Sequence, residues 1–151
     1  MLDLVTERDH EFILTILNSE GWLQFIGDRN VHSTEESIAY IKRIRNTPHF
    51  FYWVVRIKDS KTPIGIVSFM KRSYLDHFDI GFALLPDFMG FGYAHEAAET
   101  VLSAAKTQYA PILATVIPQN SSSIRLLTKL GFHFEKEIDV QNLKLHVYSN
   151  A

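Results

Sequence analysis

The sequence predicts an α+β fold built on a mostly antiparallel sheet, and three observations carry that expectation. Apolar segments of strand character and segments of helical periodicity follow one another in the order strand, two helices, three strands, helix, strand, helix, two strands. The three successive strands in the middle are joined by short polar turns, which favours an antiparallel meander. At 151 residues, with no linker, repeat or low-complexity stretch, the chain is expected to form a single domain over residues 1–151.

Leu2-Asp3-Leu4-Val5 reads as a short opening strand, after which Thr6, with Asp9 three residues on, starts a helix whose buried side is Phe12, Ile13, Ile16 and Leu17. Asn18-Ser19-Glu20-Gly21 ends that helix. Trp22 to Arg29 is then expected to be an aromatic loop with charges at its far end, either packed on the core or forming one wall of a substrate cleft. Ser33 and Glu36 have the spacing of a capping box, and Ile38, Ile41 and Ile44 mark a second amphipathic helix that Asn46-Thr47-Pro48 stops. Phe50 to Lys58 is rich in aromatic and β-branched residues and reads as a strand. Asp59 to Pro63 turns it into another strand, Ile64 to Arg72. Tyr52, Trp53 and Tyr74 either fill the sheet faces or shape a cleft.

The stretch from Asp79 to Ala105 organises the rest. Asp79 to Leu85 is a short, apolar, buried strand closed by Pro86. Ala94, Ala97, Ala98, Val101, Leu102 and Ala105 then fall on one narrow stripe, so a helix can lie close to the sheet. Between them stand Gly90 and Gly92. The first turn of a helix has N–H groups with no partner inside the helix, and its dipole adds partial positive charge. Two glycines there either serve a tight strand-to-helix turn or let an anion such as phosphate lie against the main chain. Beyond the helix, Pro111 opens a strand, Ile112 to Ile117, and Pro118 to Ser121 breaks it and caps a further helix with Ile124, Leu127 and Leu130 on its apolar face. Gly131 is placed to be the left-handed residue past that helix. Phe132 to Ile138 and Leu143 to Ser149 form a closing hairpin.

Composition excludes several classes of chemistry. The chain has no cysteine, which removes disulfides, thiolate nucleophiles and cysteine-bound zinc. Its seven histidines are scattered without an i, i+4 pair, so no metal is expected. A net charge of −2 with no basic stripe gives no footprint for nucleic acid. No apolar run is long enough to span a membrane, and Asp3, Glu7, Arg8 and Asp9 do not suit a secretory signal, so a cytoplasmic protein is expected.

Two segments resemble the GNAT acetyltransferase superfamily, and within it the ribosomal-protein N-terminal acetyltransferases of RimJ/RimL type. Ile80 to Pro86 followed by Gly90-Phe91-Gly92-Tyr93-Ala94-His95-Glu96-Ala97 looks like the family's acetyl-CoA motif. Asn120-Ser121-Ser122-Ser123-Ile124-Arg125-Leu126-Leu127-Thr128-Lys129-Leu130-Gly131-Phe132 is similar to the Asn-x-x-Ser-x-Arg-Leu-Leu-x-Lys-Leu-Gly-Phe signature of that branch. The resemblance implies a mixed, mostly antiparallel central sheet with a splayed strand pair and helices on both faces. It implies acetyl-CoA as co-substrate, with main-chain N–H groups of Met89, Gly90, Phe91, Gly92, Tyr93 and Ala94 on its pyrophosphate. The backbone of Ala83, Leu84 and Leu85 would bind the pantetheine arm, with Asn120 and Ser123 beside it. Asp87, where the superfamily often has Gln or Arg, is expected to be solvated.

The same resemblance implies direct transfer of an acetyl group to a primary amine in a ternary complex, the acceptor being a protein N-terminal amine or a small-molecule amine. A non-catalytic CoA-binding sensor or assembly module is the alternative, and the oligomeric state is left open. For the chemistry, Leu84 or Leu85 would offer an N–H to the carbonyl oxygen, and Ser123 either gives the departing thiolate its proton or only caps its helix. Asp79 either takes the amine's proton through water or is a plain edge aspartate. Glu20, Asp28, His32 and His77 are fallback bases.

Overall fold

The computed structural model describes residues 1–151. Seven strands form one sheet: β1 (Leu2–Leu4), β2 (Phe50–Arg56), β3 (Pro63–Met70), β4 (Asp79–Leu84), β5 (Leu113–Val116), β6 (His133–Val140) and β7 (Leu143–Ser149). Their order is β1-β2-β3-β4-β5-β7-β6, antiparallel everywhere except between β4 and β5. The helices are α1 (His10–Leu17), α2 (Glu20–Phe25), α3 (Thr34–Asn46), α4 (Tyr93–Tyr109) and α5 (Ser121–Lys129). None of them is long and apolar enough to cross a membrane.

Alternation along the strands sorts the core into two layers. Tyr52, Val54, Ile66 and Met70 pack with Phe12, Ile13, Ile16, Trp22 and Ile41 from α1, α2 and α3 on one face. Val55, Val67, Phe69, Ile80, Ala114 and Val116 pack with Ala97, Ala98, Val101 and Ala105 of α4 and Leu127 of α5 on the other. The alanine stripe of α4 is what lets that helix lie close to the sheet, as its sequence predicts.

The capping signals resolve in detail. The Ser33 hydroxyl accepts from the Glu36 N–H at 3.1 Å, while the Glu36 carboxylate reaches back to the His32 N–H at 3.2 Å, one residue before the expected partner. Thr6 donates its N–H to Asp9 at 2.9 Å, but the chain first makes a 3-10 turn over Glu7–Asp9, so α1 begins only at His10. Gly131 takes the left-handed conformation, φ +91°, after α5.

One element differs from expectation. The stretch from Trp22 is not a loop: α2 begins at Glu20 and carries it through Phe25. Gly21 weakens the local helical signal, but Trp22 is 5% exposed against α1 and α3, and burial of the indole outweighs a glycine cost of about 1 kcal/mol.

Strand β4 is held firmly on one side only. It pairs with β3 over six rungs, from Met70↔Asp79 to Gly65↔Leu84, and with β5 over one, Asp79↔Leu113. The β3–β4 contact needs a bare backbone, because a Cβ at Gly65 would stand 2.5 Å from the Ala83 carbonyl oxygen and 2.4 Å from a Leu84 methyl. Gly65→Ala is therefore expected to destabilise the fold by about 1–3 kcal/mol, seen as a lower urea midpoint at unchanged slope; an unchanged midpoint would show that β3 and β4 can part without cost.

Candidate functional site

Past the single rung, β4 stays with β3 and β5 stays with β7, whose register runs from Leu113↔Ser149 to Val116↔His146. The two halves of the sheet separate, and a cavity of about 840 Å³ runs through the opening from one face to the other. Its lining includes α4, α5, β5 and β7 as well as Trp22 and Tyr52 from the α1–α3 side.

Backbone polarity along β4 follows from two hydrogen bonds. Leu85 donates its N–H to the Ile64 carbonyl at 2.8 Å, so the alternate residues Ala83 and Gly81 also turn their N–H and C=O groups toward β3. Phe78 accepts from the Leu113 N–H at 2.9 Å, so Ile80, Phe82 and Leu84 turn theirs toward β5. With β5 gone beyond the first rung, the main chain of Phe82 and Leu84 faces the cavity. Of the two N–H groups expected for a carbonyl oxygen, that of Leu85 is already engaged and that of Leu84 is aimed at the opening. Leu85 itself packs against the α1–α3 core.

At the end of β4 a 3-10 turn over Pro86–Phe88 leads through Met89 to α4. Gly90 and Gly92 have φ +84° and +83°, and a Cβ at either would meet nothing within 4 Å. The glycines serve the turn and leave open space above it. Met89 donates to the Pro86 carbonyl at 3.2 Å, and the first α4 bond is Glu96 to the Gly92 carbonyl at 3.1 Å. The N–H groups of Gly90, Phe91, Gly92, Tyr93, Ala94 and His95 have no acceptor in the protein. The exposed N–H run is thus shifted one residue toward the C-terminus from the expected Met89 to Ala94, because the 3-10 turn absorbs the Met89 N–H. Asp87 is exposed and lies outside the cavity lining, and the Phe91 side chain, 70% exposed, also stays out of it.

Asn120 and Ser123 meet the cavity at the start of α5. Asn120 is the cap: its Oδ1 accepts from the Ser123 N–H at 3.3 Å. The Ser123 hydroxyl caps nothing and has no protein partner, and its side chain is half-buried at the cavity wall. Arg125 and Lys129 line the same side.

On the α1–α3 face a row of decreasing size runs toward the opening, Tyr52 paired with Ser68 and Ser68 with Gly81. Gly81 has no room for more, since a Cβ there would stand 2.7 Å from the Ser68 hydroxyl. Trp22, Phe25, Ile26 and Arg29 line the cavity above this row, so the aromatic stretch of the sequence is one of its walls, though as a helix. Tyr52 is buried, and desolvation followed by the Tyr40 hydroxyl at 3.1 Å pushes its phenol up, so it stays neutral. Tyr74 also lines the cavity, whereas Trp53 turns to the α4 face.

Asp79 sits at the rung itself, 2% exposed, and is the one carboxylate in the cavity lining. Arg72 Nε lies 3.2 Å from Asp79 Oδ1, but the N–H does not point along that line, so both atoms lack a hydrogen bond. Burial, only partly offset by the Arg72 guanidinium, pushes the Asp79 carboxyl up from 3.8 to about 6. Glu20, Asp28, His32 and His77 do not line the cavity. Arg72, Ser68, Thr115 and Leu145 do, and nothing local in the sequence marks them. Only the sheet register brings them together.

The arrangement can hold an anion at the exposed N–H run, an extended chain along β4, and a reacting group beside a buried carboxylate. A family model described as an acetyltransferase (GNAT) domain matches residues 1–133. The chain is 26% identical over 157 residues to an uncharacterized N-acetyltransferase, YoaA, of Bacillus subtilis, covering all of this chain and 86% of that one. Its fold is similar to that of a ribosomal-protein-S5-alanine acetyltransferase from Vibrio fischeri, with TM-score 0.81 and 21% identity over 98% of this chain and 90% of that one. It is similarly close to a spermidine N-acetyltransferase from Vibrio cholerae in complex with CoA and spermine, with TM-score 0.82 and 18% identity over 99% and 93%.

Proposed function

The chain belongs to the GNAT acetyltransferase family, and from that premise we propose that it moves an acetyl group from acetyl-CoA directly to a primary amine, both substrates being bound together. The observation that carries this reading is the cavity through the sheet, with unpaired main-chain N–H groups at the α4 end and a buried carboxylate on the α1–α3 side.

The residues fit the co-substrate. The N–H groups of Gly90 through His95 are unpaired at a helix start whose dipole favours a diphosphate. Phe82 and Leu84 offer a vacant strand edge to an amide-containing arm. Acetyl-CoA brings the activated acyl group: a bond forms from the amine nitrogen to the carbonyl carbon, the C–S bond breaks, and the thiolate gains one proton as the amine loses one. The protein's part is to place and move those protons. The Leu84 N–H stabilises the carbonyl oxygen, and the free Ser123 hydroxyl stands as donor to the thiolate and regains its proton from solvent. Asp79, ionised above about pH 6 and lacking a hydrogen bond on Oδ1, takes the amine's proton directly or through water.

The Asn120 to Phe132 segment and the ribosomal-protein alanine acetyltransferase among the similar folds support placement near the RimJ/RimL branch and a protein N-terminal amine. The fold shared with the spermine-bound enzyme supports a small-molecule amine. Thiol release from acetyl-CoA over a panel of amines tests the activity; tight CoA binding with no amine acetylated would leave only a CoA-binding module.

Three variants test the parts. Gly92→Trp fills the space over the exposed N–H run at a strain of about 1–2 kcal/mol, and is expected to weaken CoA binding at least about tenfold by calorimetry with an unchanged circular dichroism spectrum. Ser123→Ala should lower kcat about a hundredfold with CoA affinity nearly constant, and a wild-type rate would remove the serine from the proton path. The pH profile of kcat/KM should rise with an apparent pKa of about 6, since protonated Asp79 cannot accept a proton below that pH. Asp79→Asn should erase that limb, and a limb that persists in the variant assigns it to another group.

A further inference from the structure

The charge around the α1–α3 half of the cavity is one-sided. Arg29, from the chain after α2, and Arg72, from the chain after β3, both line it, and Asp79 is its single carboxylate. That carboxylate already stands 3.2 Å from the Arg72 guanidinium, so the protein answers one of the two positive charges from within. Arg29 has no such partner. It is half-buried, enters no ion pair, and holds its guanidinium 6.0 Å from the centre of the Trp22 ring. Its Nη1 lies along the bare backbone of Gly27, where a Cβ would come within 3.3 Å. A guanidinium does not shed its proton, and one partly withdrawn from water without a counter-ion is costly unless an anion joins it. Both arginines line the same cavity as the row Tyr52, Ser68, Gly81.

These charges discriminate among amines. A polyamine would bring two or more further cations into a region with a net excess of positive charge and no carboxylate to receive them. A peptide N-terminus has a neutral amide where Arg29 waits. An amine that also carries a carboxylate meets both requirements, its nitrogen toward Asp79 and its anion at Arg29, where a planar fork suits a carboxylate. Trp22, Phe25 and Ile26 leave apolar surface for its side chain.

We propose that Arg29 determines acceptor specificity and that the acceptor is a carboxylate-bearing amine of the amino-acid class with an apolar or aromatic side chain. This rests on the N-acetyltransferase reading given above.

The test is thiol release from acetyl-CoA with free leucine, methionine, phenylalanine and tryptophan, with the amides of the same four, with short alanine- and serine-started peptides, and with spermidine. Free amino acids are expected to exceed their amides at least about tenfold in kcat/KM, with spermidine poorest. Arg29→Gln should collapse the acid-to-amide ratio to near one, chiefly through KM for the free acids, and Arg29→Lys should restore part of it. Amides, peptides or spermidine preferred by the wild type, or a ratio untouched in Arg29→Gln, would overturn the assignment while leaving the acetyltransferase reading standing. Failure to acetylate any amine despite CoA binding would overturn both.

Discussion

The structure depends on a single rung of hydrogen bonding between two parallel strands. Asp79 and Leu113 are joined, and the strands then go separate ways because each is held by a stronger neighbour, β4 by six rungs to β3 and β5 by four to β7. A sheet that closed this gap would pair Phe82 and Leu84 with β5 and be better satisfied on its own. Left open, the gap makes a passage through a layer that would otherwise seal one face from the other.

The period of a strand then divides the labour. On β4, residues whose main chain faces the gap, Phe82 and Leu84, send their side chains to the α4 and α5 side, while Asp79, Gly81 and Ala83 bond to β3 and project toward α1–α3. One strand thereby turns unpaired backbone to the gap and its small side chains to the space opposite. The glycines follow the same logic at different places. Gly65 and Gly81 are glycines because a neighbouring atom occupies the position of a Cβ, whereas Gly90 and Gly92 are glycines because the chain takes positive φ beneath empty space.

Much of this was legible from the sequence because its signals are local. Strand and helix periodicity, the Ser33 and Asn120 caps and the left-handed Gly131 each need only a few adjacent residues to be recognised. The element missed, α2, is six residues long, has a glycine at its second position, and owes its stability to a tryptophan buried against helices on either side of it in the chain. The shift of the exposed N–H run has the same kind of cause, a 3-10 turn whose bond from Met89 to Pro86 leaves no trace in composition. Arg72 carries no local signal in the sequence. Its meaning arises only when the chain turns and brings it back beside Asp79.

That pair shows how the fold sets its chemistry. Burial disfavours the charged form of the Asp79 carboxyl and raises its pKa, and the Arg72 guanidinium beside it pulls the other way. Burial is the larger of the two, and with the contact at 3.2 Å offsetting it only in part the carboxyl is pushed up to about 6. Arg72 also donates through Nη1 to the Tyr74 hydroxyl at 2.9 Å, so the guanidinium that faces the next strand is held from its own loop as well. The sheet supplies the burial, the loop supplies the charged partner, and the acidity of the carboxyl follows from the two together.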